Sequence, residues 1–425
     1  MHPKIDHQIS EAGLRQQTAE IMAPAGNWAS FRAAIQGGAD SIYFGIEHLN
    51  MRARASNNFK MDGLPEISAL ANQHGIKTYL TLNTVLYDHD LPVMRSIIDA
   101  VKENGITAII ASDQAAISYA HKQGVEVHIS TQTNISNIEM VEFYSQFADV
   151  MVLARELSLG QVKNIVEGIR ERNITGPSGN PVHIEVFAHG ALCMAVSGKC
   201  YLSLHAYNAS ANRGACMQNC RHAYTVQNEE GLELEIDNEY IMSPKDLCTI
   251  DFLDKVLDSG ATVLKIEGRG RSTEYVKTVT RCYKEASLAV ANGTYTSEQA
   301  RKWKEELDQV YNRGFWDGYY LGRKTGEWSP VYGSAAKKEK SFLGKVIHYY
   351  PKAKVAHIRI KSREITTGDS ILFIGDRTGV VEQQVDSFWV DDAPADRAKQ
   401  GDECTIKITE PVRDGDKVYL WEDRR

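Results

Sequence analysis

The chain has 425 residues, 43% hydrophobic and 24% charged, an ordinary globular composition that excludes a disordered or fibrous protein. Its formal net charge of -7 excludes a generally basic nucleic-acid coat, so any contact with nucleic acid must run through a local patch. The start of the chain shows no apolar secretion core, and no run approaches the roughly 18 apolar residues of a membrane span, so a cytoplasmic protein with no membrane partner is expected.

Residues 1–19 read as an N-terminal tail. Strand and helix signals then alternate. Strand Glu20 to Pro24 precedes helix Trp28 to Gly37, and strand Ser41 to Ile46 precedes helix Gly63 to His74. Strand Lys77 to Asn83 leads to helix Asp90 to Asn104, and Ala108 to Asp113 leads to helix Gln114 to Gln123. Strand Glu126 to Gln132 pairs with helix Ile138 to Phe147, and Val150 to Arg155 with Leu159 to Arg172. His183 to Phe187 is a seventh strand. Thr262 to Glu267 is an eighth, followed by a helix from Ser272 to about Asn292.

Several of these strands are continuously apolar, as parallel strands buried on both faces are. Eight strands with intervening helices point to an α/β fold, a (β/α)8 TIM-like barrel over residues 20–330, with an open doubly wound sheet as the alternative. No GxGxxG follows the first strand, which weighs against a dinucleotide site. The stretch between strands seven and eight is too long for a crossover and reads as a functional insertion.

A helix from Ser297 to Tyr311 and an aromatic stretch from Tyr311 to Tyr320 close this part. The Lys-rich segment Lys337-Lys338-Glu339-Lys340 lies in an expected linker, 331–343. From 344 to 425 the texture changes. Lys354 to Ile360, Ser370 to Ile374, Val380 to Val390, Glu403 to Ile408 and Lys417 to Trp421 are β-type, punctuated by Gly-Asp turns or their like. A small antiparallel β-barrel is expected there as an accessory domain.

Of seven cysteines, Cys193, Cys200, Cys216 and Cys220 cluster in the insertion with the spacing C-x6-C-x15-C-x3-C. Thiols stay reduced in the cytoplasm, so the cluster suggests metal chemistry rather than disulfides. Four sulfurs suit an iron–sulfur cluster or tetrahedral zinc. Structural zinc sites more often show two tight knuckles, and only Cys216 and Cys220 make one here. Unligated thiols in a packed insertion are the third reading.

The segment Glu185-x-Phe187-x2-Gly190-Ala191-Leu192-Cys193-x4-Gly198-x-Cys200-x-Leu202-Ser203 resembles the signature of the peptidase U32 family at every fixed position. Asn212-Arg213-Gly214-Ala215-Cys216 with Cys220-Arg221 is similar to the family's second cysteine block. Met242 to Leu247, Leu264 to Arg269, Ala23 to Gly26 and Asn312 to Phe315 are similar to further blocks. The resemblance spans about residues 20–330. It implies either a collagenase-like peptidase or a protein of oxygen-independent hydroxylation of tRNA, ribosomal RNA or ubiquinone precursors. The hydroxylation branch carries a four-iron cluster on four cysteines, and all four are present here. The nearest likeness is to proteins that convert tRNA uridine 34 to 5-hydroxyuridine, with prephenate as hydroxyl donor. That branch implies tRNA, a small-molecule donor and an electron-donor protein or family paralogue as partners, and places no ligand at Cys248.

A barrel enzyme works at the C-terminal ends of its strands. The catalytic candidates are His189, Glu185, Lys265 and Glu267; the substrate-binding candidates are Arg155, Gln132, Arg213 and Arg269. His189 can donate a proton, contact substrate, support the cluster or simply be structural. Lys265 and Glu267 point the same way along their strand and can form an ion pair. His128, Ser130, Gln132 and Asn134 are expected on one face. The basic run Arg213, Arg221, Lys265, Arg269, Arg271, Lys277 and Arg281 suits RNA phosphates, a dicarboxylate or mere solvation. The aromatic stretch stacks bases or closes the barrel. HExxH and GxSxG are both missing from the sequence, which lowers the peptidase reading.

Overall fold

Strand β1 (Glu20–Ala25) is buried along almost all its length, as are β2 (Ser41–Phe44), β3 (Lys77–Leu82), β4 (Ala108–Ala111), β5 (Glu126–Ile129), β6 (Val150–Val152) and β7 (His183–Gly190). Each pairs in parallel with its predecessor. The short β8 (Asp246–Cys248) stands outside this run, and β9 (Val263–Ile266) lies parallel to both β7 and β1. That double pairing closes an eight-stranded barrel and excludes the open sheet. This is a computed structural model, and it describes residues 18–53, 58–224, 240, 242–322 and 327–424. The expected N-terminal tail lies, up to residue 17, outside the described residues.

Helices α1 (Trp28–Gln36), α2 (Leu64–Gln73), α3 (Leu91–Glu103), α4 (Gln114–Gln123), α5 (Ile138–Ser145) and α6 (Leu159–Arg172) follow the first six strands. Their starts are set locally. Asn27 Oδ1 accepts from Ser30 N at 2.8 Å, and Ser158 and Gln161 form a reciprocal capping box on α6. Asp113 caps α4 by accepting from Ala115 N. Helix α7 (Leu202–Tyr207) belongs to the insertion. Helices α8 (Leu253–Asp258), α9 (Thr273–Ala291) and α10 (Ser297–Leu307) complete the set among the described residues. None of the described helices is long and apolar enough to cross a membrane.

Two apolar cores build the barrel. Phe31, Phe44, Leu80, Ile97, Ile129 and their neighbours fill the space between strands and helices. Met22, Tyr43, Tyr79, Ala108, Ile110, Val150 and Val263 fill the barrel lumen, with the fully buried polar side chains of Glu185 and His128 among them.

Strand β10 (Phe315–Trp316) pairs in parallel with β8, so the aromatic stretch packs on the barrel. The C-terminal part holds β11 (Lys338–Tyr350), β12 (Val355–Ile360), β13 (Glu364–Thr366), β14 (Ser370–Gly375), β15 (Gly379–Gln384), β16 (Phe388–Val390), β17 (Ala393–Ala395), β18 (Arg397–Lys399), β19 (Glu403–Lys407) and β20 (Lys417–Asp423). Eight of these form one antiparallel sheet in the order β15-β14-β20-β11-β12-β19-β16-β17, and β13 pairs with β18. The stretch Lys338-Glu339-Lys340, expected in a linker, is strand. It pairs with Asp423, Glu422 and Trp421 of β20, which satisfies its backbone. This part docks on the barrel through α1 and α9: Gln36 bonds Thr378 O and Val380 N, both at 3.0 Å, and Lys277 Nζ donates to Val380 O at 3.0 Å.

Candidate active site at the barrel mouth

The C-terminal strand ends and the insertion enclose a cavity of 540 Å³. That is a small-molecule size. Its floor is lumen: Tyr43, Ile110, Phe187 and Lys265. Its wall carries Asn83, Ser130, Gln132, Arg155, Glu267 and Arg269, and its lid carries Cys193, Cys200, Cys216 and Cys220. The four cysteines therefore share one chamber with three of the candidate substrate-binding residues, Gln132, Arg155 and Arg269.

The lid is shaped by two glycines and braced by side chains. Gly190 turns the chain out of β7 at φ 107, where a Cβ would lie 2.4 Å from Glu267 O. Gly214, at φ 86, comes equally close to Asn50 O, where a Cβ would lie at 2.5 Å. Arg221 ties both ends of the insertion by donating to Leu192 O at 2.6 Å and Ser243 Oγ at 3.1 Å. Asn134 holds the first cysteine loop by donating to Ser197 O at 3.0 Å. Burial pushes the Cys220 thiol up, Arg221 works against that, and negative charge on Cys193, Cys216 and Cys200 adds to the rise. The four sulfurs thus feel one another. Among the described residues no three His, Cys, Asp or Glu are close enough to grip a single metal ion.

The wall is basic. Arg52, Arg155, Arg221, Arg269, Arg271, Arg313 and Lys265 face a single carboxylate, Glu267. Burial would raise the Glu267 carboxyl, but Arg52, Arg155, Arg269 and the Tyr43 hydroxyl outweigh it and hold it at about 2. Arg52 Nη2 donates to Glu267 Oε1 at 2.9 Å. Arg269 is pinned by Asn50 Oδ1 at 3.0 Å and Thr81 Oγ1 at 2.8 Å, and burial brings its guanidinium down to about 10. Arg155 lies over the Phe187 ring at 4.1 Å. Its buried Nε, with Gln132 Oε1, has no hydrogen-bond partner among the described residues. Such atoms lining a chamber suit the polar groups of a bound ligand.

Other sequence candidates are placed differently. Glu185 lies one layer below the cavity and takes Lys265, Nζ to Oε1 at 2.7 Å. The anticipated Lys265–Glu267 pair is thus replaced by Lys265–Glu185 and Arg52–Glu267. Residues two apart on a strand are farther from each other than from neighbours on the adjacent strand. His189 does not line the cavity. A bulge between Phe187 and His189 breaks the β7–β9 register and reverses the alternation of faces. His189 therefore packs outward against Tyr283, Tyr275 and Phe315, and burial lowers it to about 3. Arg213 also points away. It pairs with Asp90 at 2.7 Å and covers Tyr87, bracing the lid. Among His128, Ser130, Gln132 and Asn134 the common face ends at Ile129, because Thr131–Thr133 form a 3-10 turn.

Sequence reasoning missed Arg52 and Tyr43. Arg52 sits in an irregular loop, and nothing in its sequence surroundings separates it from a solvated arginine. The Asn312 to Phe315 and Met242 to Leu247 blocks meet physically: Asp246, fully buried, accepts from Arg271 at 3.0 Å and Arg313 at 3.4 Å.

The chain is 56% identical over 406 residues to a collagenase of Porphyromonas gingivalis, covering 95% of this chain and 98% of that protein. It is 36% identical to an uncharacterized protease of Methanocaldococcus jannaschii, covering 95% and 98% respectively. It is 30% identical to tRNA hydroxylation protein P1 of Bacillus subtilis, covering 92% of each. Residues 26–330, which hold the barrel beyond β1, the four cysteines and the basic wall, match the profile of peptidase family U32, and the chain belongs to that family.

Proposed function

We propose that this chain is an iron–sulfur enzyme of oxygen-independent tRNA hydroxylation, forming 5-hydroxyuridine at the wobble position with prephenate as hydroxyl donor. One observation carries the reading: the four cysteines open into the same chamber as the basic wall. Four thiols suit a soft, multi-iron group, and a cluster takes its thiolates farther apart than a lone ion does. Cys193, Cys200, Cys216 and Cys220 would hold it, and when bound it would supply one-electron chemistry or a site that activates a small molecule.

The chain's own residues do the rest. The surplus of guanidiniums over the carboxylates of Glu267 and Asp246 suits a dianionic donor. Tyr201 and Tyr207, 69% and 57% exposed on the lid, are placed for an RNA base to stack. An electron-donor protein or a family paralogue would supply reducing equivalents, and the setting would be the cytoplasm. The test is nucleoside mass spectrometry of tRNA from a strain lacking this chain. Loss of 5-hydroxyuridine derivatives, restored by the native gene alone, is expected. Unchanged tRNA sinks this reading, and a change in another RNA or in a ubiquinone precursor redirects it.

A second reading, a collagenase-like peptidase, is favoured by the name of the Porphyromonas gingivalis relative. Its chemistry needs an activated nucleophile. Burial instead pushes the Cys248 thiol up to about 12 and raises Cys282 as well. Gelatin cleavage by pure protein, abolished by a single nucleophile variant, would establish it.

A further inference from the structure

The barrel lumen below the cavity holds a line of ionisable groups that an inert core does not need. Lys265 Nζ, on the cavity floor, lies 2.7 Å from Glu185 Oε1. Glu185 Oε2 faces His128 Nδ1 at 3.8 Å. His128 Nε2 lies 3.2 Å from Glu126 Oε1. Glu185 and His128 are 0% and 1% exposed, whereas the Glu126 side chain, at the start of β5, is 39% exposed at the opposite mouth. The line therefore runs from the cavity to water at the far end of the barrel.

Two features separate it from a static set of ion pairs. His128 Nδ1 and Glu185 Oε2 have no hydrogen-bond partner among the described residues, yet they point at each other. Buried polar atoms left so are rare in a settled core. The gap is just beyond hydrogen-bond range, so a small side-chain rotation closes it. Also, the arginines of the cavity wall do not give up protons at ordinary pH, and Glu267 is held too acidic to carry one. Lys265 is the lysine of that wall and can carry one.

We propose that Lys265, Glu185, His128 and Glu126 form a proton path along the barrel axis, which resupplies the cavity from solvent at the N-terminal mouth. The proposal rests on the cavity being the site of turnover. Lys265 releases a proton to a substrate anion, so one N–H bond breaks as a bond to substrate forms. The Glu185 carboxylate takes the Nδ1 proton of His128 as Nε2 takes one from Glu126, and after a half-turn it passes that proton to the Lys265 amine. Glu126 takes a proton from water, and a flip of the imidazole ring restores the starting tautomer. No electrons are gained or lost, and one proton moves from solvent to cavity.

The other groups facing His128 fit this role. Tyr79 packs tilted against the ring with centroids 4.3 Å apart, and its hydroxyl is committed to Glu20 Oε1 at 2.7 Å. Lys77 is taken by Glu20 Oε2 at 2.8 Å. Burial opposes charge on His128, but Glu126 and Glu185 outweigh it and raise the ring's affinity for a proton.

The test is exchange of the His128 ring N–H with water, read by NMR on full-length protein carrying 15N-labelled histidine. Glu126→Gln should slow that exchange about tenfold or more, and Glu126→Asp, which keeps the carboxyl, should restore most of it. Equal exchange in native and Glu126→Gln protein overturns the path. The measurement needs no substrate, so a native protein that hydroxylates no RNA sinks the proposed reaction without touching this result. Where hydroxylation is seen, Glu126→Gln should also lower turnover about tenfold with a larger solvent deuterium effect, and unchanged turnover overturns the path's role in catalysis.

Discussion

Arg52 reaches from the irregular loop beyond β2 to Glu267 at the end of β9, Nη2 to Oε1 at 2.9 Å, and joins the two halves of the cavity wall. Burial would lower the Arg52 guanidinium, but Glu267 raises it, with Cys193 and Cys216 adding to the effect. One side chain therefore senses both the carboxylate of the substrate wall and the thiols of the lid. An anionic cluster on those thiols and an anionic ligand on the wall would meet across this cation, which lessens their repulsion.

The acid limb of stability should report this arrangement. Glu267 is held at about 2 against an ordinary 4.5. A lowered folded value contributes stability above the unfolded one, lost as the pH falls from about 4.5 towards about 2. Glu267→Gln should flatten stability over that window, read by urea melts at stepped pH. Superimposable acid limbs would show that Glu267 is not held by its arginines.

The cysteines make the second prediction. Protein purified without oxygen should carry about four irons per chain with visible absorption. Cys216→Ala should lose most of both and all wobble hydroxylation, while the barrel core, which lies outside the lid, keeps its far-ultraviolet dichroism. Stoichiometric zinc with no iron in the native protein would remove the cluster from the account.

The parallel barrel is legible because its strands are apolar on both faces, and the gathering of the four cysteines at one cavity because they lie in one insertion. What escapes sequence is decided by single backbone events. The bulge before His189 turns a strand-end histidine out of the site and leaves no local mark. Arg52 becomes a wall residue only because its loop folds over the mouth. Lys338 and Lys340 look like linker but are strand, since β20 supplies hydrogen bonds from about eighty residues away. The partner of Lys265 is chosen by strand register, which the 2-residue period along one strand does not contain.

His189 carries a third prediction, against its role as a catalytic group. Its imidazole, against Tyr283 at 3.3 Å, is held neutral at about 3 instead of 6.5. A base lowered on folding contributes stability above about 6.5 that is lost as the pH falls towards about 3. His189→Phe should flatten that limb and leave hydroxylation within about twofold of native, since the ring lies outside the cavity. A loss of turnover beyond a hundredfold with native stability would return His189 to the chemistry.

Gly190 tests whether the lid's placement, rather than its cysteines alone, makes the site. At φ 107 an added Cβ meets Glu267 O at 2.4 Å, backbone that cannot yield cheaply. Gly75, at φ 65, has nothing within 4 Å of its Cβ position, so alanine there brings conformational strain without a clash. Both alanine variants should lose about 1–3 kcal/mol of stability from strain, Gly190→Ala more. Only Gly190→Ala should also lower bound iron, because relief of its clash moves the first turn of the lid and with it Cys193. Thermal melts and iron content on the same preparations separate the two effects. Full iron in a Gly190→Ala protein of lowered Tm would mean that the lid finds its cluster geometry independently of the strand it leaves.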